Sequence, residues 1–102
     1  MMTENTCLLY NDIIEVYNNL IVFCTTNGFK VKDSKEEFYF LRAKKSSILF
    51  WKTMRLELSI EAVDKKQVMV SAMVYKFGLR NSKLESKFII AIENYFKNDN
   101  VK

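Results

Sequence analysis

The sequence has no histidine and no proline, and its 102 residues include only two glycines and two cysteines. The absence of histidine excludes Ser-His and Cys-His nucleophile pairs and the common zinc ligand sets. Isolated glycines exclude the glycine-rich loops that hold phosphates. Cys7 and Cys24 lack the C-x-x-C spacing of a redox pair or a zinc knuckle. We therefore expect a protein that is not an enzyme and has no catalytic residue, no metal and no cofactor.

Paired carboxylates are the remaining route to acid–base catalysis, and Glu57 and Glu61 are the candidates. They lie on the solvent side of a predicted strand, where four residues of extended chain separate them by about 13 Å. That distance is too long for two carboxylates to act on one bond of a substrate. The pair does not change the expectation.

Long apolar runs and targeting signals are also missing. The longest apolar stretches, Leu20–Cys24 and Ile48–Trp51, are far shorter than the ~20 residues of a membrane span, and no signal peptide is recognisable. If Cys7 and Cys24 share one N-terminal helix, they lie roughly 25 Å apart, beyond the ~7 Å between Cα atoms that a disulfide allows. Free thiols suit a reducing compartment, so we expect a cytoplasmic protein with no membrane span.

The composition is that of a globular protein, with 49% hydrophobic and 27% charged residues. This length fits a single domain over residues 1–102. The formal net charge of +4 comes from 16 Lys and Arg against 12 Asp and Glu. The excess is mild, so it permits a polyanionic partner without requiring one.

Apolar residues near the N-terminus recur every three or four positions, which predicts an amphipathic helix over about 8–26. They are Leu9, Ile13, Val16, Tyr17, Leu20, Ile21 and Cys24. Asp12 followed by Glu15 resembles a capping box. Asn27 and Gly28 end the helix, because Gly28 is free to take the left-handed conformation of a helix end.

Alternating apolar and polar residues predict four strands, over about 29–33, 37–44, 50–61 and 67–75. A second amphipathic helix follows at about 83–97, with Ser82 and Glu85 as a capping box. Short turns between the strands require antiparallel neighbours. We predict an α+β two-layer sandwich in the order α-β-β-β-β-α, with a four-stranded antiparallel meander and the N- and C-terminal helices on one face.

The side of the sheet that faces away from the helices is the candidate interaction face. If Tyr39, Leu41, Leu56, Leu58, Val70 and Ala72 point to the core, the other side carries Lys30, Lys32, Phe38, Phe40, Arg42, Arg55, Met69 and Met73. Such a face is too apolar for plain contact with water. Other parts of the chain cover it, or a second copy or partner protein binds it, or it binds single-stranded nucleic acid. Our leading hypothesis is a non-catalytic interaction domain, self-associating or binding a partner protein through this face. Weak binding of single-stranded nucleic acid or another polyanion is the alternative.

Two other segments leave alternatives open. The cluster Ile48–Trp51, next to Lys52, fits either a buried strand start or a loop tip that inserts into a membrane surface. Gly78, before the last helix, fits a tight turn. The alternative there is a small-anion site formed by Arg80 and the free amides near Lys83.

Three stretches of sequence carry a resemblance to a known group of domains. They are Phe50-Trp51-Lys52, Val68-Met69-Val70-Ser71 and Phe77-Gly78-Leu79-Arg80-Asn81. From about residue 40 to 96 the sequence resembles small uncharacterised bacterial α-β4-α domains. Those domains have an aromatic-Trp-Gly strand start, a valine-rich next strand and an aromatic-Gly-basic-Asn turn before the last helix. The resemblance implies the fold predicted above, and it implies no activity because that family has none assigned.

Overall fold

The computed structural model describes residues 5–35, 39–45 and 54–97, and the side chains of these residues except 33–35. Three features of the sequence analysis therefore lie outside the described residues. They are Phe38 of the candidate face, the cluster Ile48–Trp51 and the predicted strand start at residues 50–53.

The chain forms an antiparallel sheet and two helices, one toward each end of the chain, so the α+β class is confirmed. The elements in order are β1 (Thr6–Leu9), α1 (Ile13–Thr26), β2 (Lys30–Lys35), β3 (Phe40–Lys45), β4 (Met54–Asp64), β5 (Gln67–Lys76), β6 (Leu79–Arg80) and α2 (Ser82–Lys97). The prediction of four strands is wrong, because β1 and β6 join the sheet.

The sheet has the order β1-β5-β4-β3-β2, and the short β6 also pairs with β5. Strand β1 occupies the edge next to β5, with Cys7 opposite Val70 and Leu9 opposite Val68. Helix α1 then carries the chain across to β2 at the other edge. The predicted helix start at residue 8 is therefore wrong, because residues 6–9 alternate between partly buried and buried as a strand does.

The ends of α1 follow the sequence signals only in part. Asp12 is the N-cap residue, but its side chain makes no capping hydrogen bond. The carboxylate of Glu15 instead accepts from the Asn11 amide at 3.2 Å, so the predicted capping box is wrong. At the other end Gly28 has φ +86° and Phe29 donates to the carbonyl of Cys24 at 2.9 Å. This Schellman-type ending confirms the predicted role of Gly28.

The core lies on one side of the sheet, between the sheet and both helices. Its strand residues alternate with outward-facing ones, as predicted, and all are buried: Leu41, Ala43, Leu56, Leu58, Ile60, Val68, Val70, Ala72 and Val74. The helices add Val16, Leu20, Phe23, Ile89 and Ile92 to the same cluster. Edge-to-face ring pairs connect Phe23 of α1 with Tyr95 of α2 at 5.6 Å between centroids, and Phe29, between α1 and β2, with Phe88 of α2 at 5.5 Å.

The start of α2 closes the free edge of β5. The N-cap is Asn81, whose side-chain oxygen accepts from the Leu84 amide at 3.1 Å, so the predicted capping role of Ser82 and Glu85 is wrong. Glu85 turns its buried carboxylate toward the sheet, where Oε2 accepts from the Val74 amide at 3.1 Å. The same carboxylate binds Arg80 through two 3.0 Å hydrogen bonds. The Glu85 side chain thus supplies the acceptor for the Val74 amide that neither β1 nor β6 provides.

Candidate binding face

The outer face is defined here as the side of the sheet that faces away from α1 and α2. Its residues alternate with the buried core residues along each strand, and the strand register aligns them in rows across the sheet. The face has two halves of different chemistry. Strands β2, β3 and β4 contribute mostly charged side chains, whereas β1 and β5 contribute mostly apolar and hydroxyl side chains.

A row of three cations crosses the charged half. Lys30 lies opposite Lys44, and Lys44 lies opposite Arg55. Arg55 in turn lies opposite Tyr75 on β5. At about 4.8 Å between neighbouring strands, the row from the lysine to the tyrosine spans about 14 Å. We call Lys30, Lys44 and Arg55 the cationic row. Like charges directly opposite one another destabilise a sheet, so the fold by itself does not favour this arrangement.

The one acidic side chain described near the cationic row is Glu57. Its Oε2 lies 3.4 Å from Nε of Arg42 and 3.6 Å from Nε of Arg55. The carboxylate is mostly covered at 13% exposure, whereas the arginine side chains are 45% and 49% exposed. One covered carboxylate thus contacts both exposed arginines, and Asp33 lies opposite Arg42 in the strand register.

Aromatic rings lie under both arginines. The guanidinium of Arg55 lies 4.6 Å from the ring centroid of Tyr75, and that of Arg42 lies 5.9 Å from the centroid of Phe40. The Tyr75 hydroxyl also lies 3.7 Å from the sulfur of Met73. These cation–π contacts fix the direction of both guanidinium groups and cover part of the rings.

An apolar strip borders the cations on the β1 and β5 side. It consists of Leu8, Met69 and Met73, all partly buried, with Leu8 directly opposite Met69. Leu8 was missed by the sequence analysis because the predicted helix began at about residue 8.

The structure describes seven of the eight predicted face residues, all except Phe38. Lys30, Lys32, Arg42 and Arg55 are exposed, and Phe40, Met69 and Met73 are partly buried. Lys44 and Tyr75 belong to the face as well. Both could have been found from the sequence by continuing the alternation of their strands to the ends.

Lys32 leaves the regular register. A bulge between Val31 and Asp33 leaves Lys32 without a partner in the register of β3. Its side chain lines a cleft of about 420 Å³ with Lys30, Lys44 and Phe29. The bulge therefore groups a third lysine with two members of the face, at the edge of the sheet.

The small-anion site considered at the start of α2 does not form as predicted. Both guanidinium contacts of Arg80 are made to Glu85, and the Leu84 amide donates to Asn81. The guanidinium of Arg80 therefore binds the carboxylate of Glu85 in place of an external anion. Gly78 has φ +77°, which confirms the tight turn.

The two cysteines are free and buried, Cys7 on β1 and Cys24 on α1. They do not share one helix as the sequence analysis assumed. Burial raises the pKa of each thiol to about 12, with the charge of Glu93 adding to the effect at Cys7. Neither thiol is therefore poised for nucleophilic chemistry at neutral pH.

Comparison with models of known protein families and with curated proteins finds no match. The resemblance to α-β4-α domains therefore stays a prediction. Within residues 5–35, 39–45 and 54–97 no helix is long and apolar enough to cross a membrane, and no three acidic or cysteine side chains are grouped as metal ligands are.

Proposed function

We propose that this protein is a non-catalytic interaction domain whose outer face binds single-stranded nucleic acid. The observation that carries the proposal is the cationic row Lys30–Lys44–Arg55, which runs across three strands and ends at the ring of Tyr75. Like charges opposite one another cost stability. The negative charges of a polyanion that lies across the row would attract these cations and offset their mutual repulsion.

The order of chemistry across the face supports a nucleic acid over other polyanions. Cations lie on the β2, β3 and β4 side, the aromatic rings of Phe40 and Tyr75 lie beside two arginines, and the apolar strip follows on β5 and β1. Phosphates meet lysine and arginine, while unstacked bases stack on aromatic rings and guanidinium planes. The bases of a duplex are paired and stacked on one another, so a single strand fits better.

Self-association through the charged half is disfavoured by the same geometry. Consider two copies packed face to face and related by a two-fold axis parallel to the strands. The cationic row of one copy would then lie against the cationic row of the other, and the two rows would repel each other. Arg42 also covers part of Phe40, which the sequence analysis placed on the candidate face, and Arg55 covers part of Tyr75.

Fluorescence anisotropy with a labelled poly-dT oligonucleotide tests the proposal. For single strands the slope of log K against log salt is about −0.7 for each phosphate neutralised. Lys30→Gln combined with Lys44→Gln should therefore make the slope shallower by about 1.4 and weaken binding. Tyr75→Leu should weaken binding and leave the slope unchanged.

The matched control is Lys65→Gln combined with Lys66→Gln, which removes the same charge at the exposed β4–β5 hairpin. Its salt slope should equal that of the unsubstituted protein. Absence of salt-sensitive binding at low ionic strength refutes the proposal, and so does a loss at the control hairpin as large as the loss at the cationic row.

A second candidate function is self-association through the apolar strip, which β1 extends by adding Leu8 beside Met69. Met69→Ser combined with Met73→Ser should then abolish a dimer seen by sedimentation velocity. A monomer at about 100 µM, a concentration at which weak dimers are populated, excludes this function.

A further inference from the structure

The turn between β5 and β6 exposes two large apolar side chains. Phe77 is 65% exposed and Leu79 is 73% exposed. Lys76 pairs with Leu79, so the loop between the strands consists of Phe77 and Gly78 alone. We call residues 76–80 the hairpin tip. It is a different surface from the outer face, and the inference below does not rest on the proposed function.

The backbone of the hairpin tip is unfavourable for the residue that it carries. Phe77 has φ +58° and Gly78 has φ +77°, so both central residues are left-handed. Two-residue turns of this kind prefer asparagine before glycine, because bulky residues are strained in the left-handed region. The fold would be served better by a small polar residue at position 77. Strain and exposure together point to a role for this ring outside the folded chain.

The exposed charges next to the hairpin tip in sequence are of one sign. Lys76, Arg80, Lys83 and Lys87 lie within eleven residues of Phe77 in sequence, and the one carboxylate between Tyr75 and Lys87 is Glu85. That carboxylate is buried at 2% exposure and is bound by Arg80 and the Val74 amide. Lys83 and Lys87 are exposed on α2, which begins two residues after β6, and residues 76–87 carry no exposed carboxylate.

We infer that the hairpin tip docks on an anionic membrane surface, with Phe77 and Leu79 inserted at the interface between headgroups and acyl chains. Exposed apolar side chains at a two-residue turn, followed in sequence by exposed lysines, match a lipid surface of negative charge. A specific protein partner more often uses tyrosine, tryptophan or unengaged arginine as an anchor, and the arginine of this tip is held by Glu85.

Flotation with vesicles tests the inference, with phosphatidylcholine and phosphatidylglycerol in a two-to-one ratio beside pure phosphatidylcholine. The full chain should float with the anionic vesicles and not with the neutral ones. Phe77→Asn should lower the partition coefficient about tenfold, the effect of losing one inserted ring. Leu79→Thr should act in the same direction.

The stability of the Phe77→Asn variant separates docking from a structural role. Asparagine tolerates the left-handed conformation, so its melting temperature should equal or exceed that of the unsubstituted protein. Ile90→Gln, which removes an apolar side chain of similar exposure from α2, should float like the unsubstituted protein.

Equal flotation of Phe77→Asn and the unsubstituted protein overturns the inference, as does equal flotation with neutral vesicles or no flotation at low salt. The oligonucleotide assay distinguishes this surface from the outer face. Phe77→Asn should leave oligonucleotide binding unchanged, whereas Lys30→Gln with Lys44→Gln should lower it.

Discussion

Replacing Glu85 by alanine should destabilise the protein more than expected for a charged residue in the first turn of an amphipathic helix, because Glu85 is buried. The carboxylate is the acceptor for the Val74 amide on β5 and for two donors of Arg80. Without it the buried Val74 amide is unpaired, which costs about 1–3 kcal/mol. The buried methylene groups of Glu85 contribute about another 1 kcal/mol. We therefore expect a loss of about 3 kcal/mol in the free energy of unfolding.

Chemical denaturation followed by circular dichroism measures this loss. For a domain of this size about 3 kcal/mol corresponds to a fall of roughly 12–24 °C in melting temperature. Glu85→Gln keeps an acceptor for Val74, so it should lose less, about 1–2 kcal/mol. Glu93→Ala, at an exposed position of the same helix, is the control and should stay within about 0.5 kcal/mol. A Glu85→Ala variant within this same margin would refute the reasoning.

The pH dependence of this contribution has a definite sign. The hydrogen bonds from Arg80 hold the pKa of Glu85 below its ordinary value, against the opposing effect of burial, and the Val74 amide assists. A lowered pKa in the folded state means that the stabilisation is complete above the ordinary value of about 4.3. It is lost as the pH falls toward the folded-state pKa. The stability gap between the unsubstituted protein and Glu85→Gln should therefore shrink below about pH 4.

Three further predictions concern other parts of the fold. Cys7 and Cys24, both buried with a pKa of about 12, should react with a disulfide reagent only after denaturant is added; rapid reaction of either thiol in the native protein would contradict their described burial. Asn81→Ala removes the side-chain cap of α2 and should cost about 1 kcal/mol, read from the denaturation midpoint, and an unchanged midpoint would contradict the cap. Lys44→Gln relieves the repulsion between opposed cations and should raise the free energy of unfolding by about 0.2–1 kcal/mol; a destabilised variant would mean that Lys44 makes a structural contact.

The interior of the sheet was predictable because its alternation is long. Strands β4 and β5 are 11 and 10 residues long, and buried residues alternate with less buried ones from Arg55 to Glu61 and from Gln67 to Tyr75, so the core side could be assigned without knowing the topology. The alternation in the four residues of β1 is too short to be recognised as a strand, because the helical spacing of Leu9 and Ile13 predicts a helix over the same stretch. Only the pairing of β1 with β5 decides their conformation, and pairing between residues this distant in sequence is not visible in local patterns.

The same limit applies to side chains that act over distance. Glu85 stands three residues after Ser82 and fits a capping box, yet the β5–β6 hairpin brings Arg80 and Val74 within reach of its carboxylate. The carboxylate accepts from the Arg80 guanidinium and the Val74 amide in place of the capping-box hydrogen bond at the start of α2. The candidate face was predicted as a set of side chains, but its cationic row depends on the register between β2, β3 and β4, which the sequence does not specify.

Chemical-shift mapping tests the central claim, that the outer face is the binding surface, most directly. Amide resonances of an isotope-labelled sample are followed while a poly-dT oligonucleotide is added at low salt. The account predicts that the largest shifts occur at Lys30, Lys44, Arg55 and Tyr75 and decrease toward the β4–β5 hairpin. Shifts absent from these four residues, or centred on the helices, would contradict it.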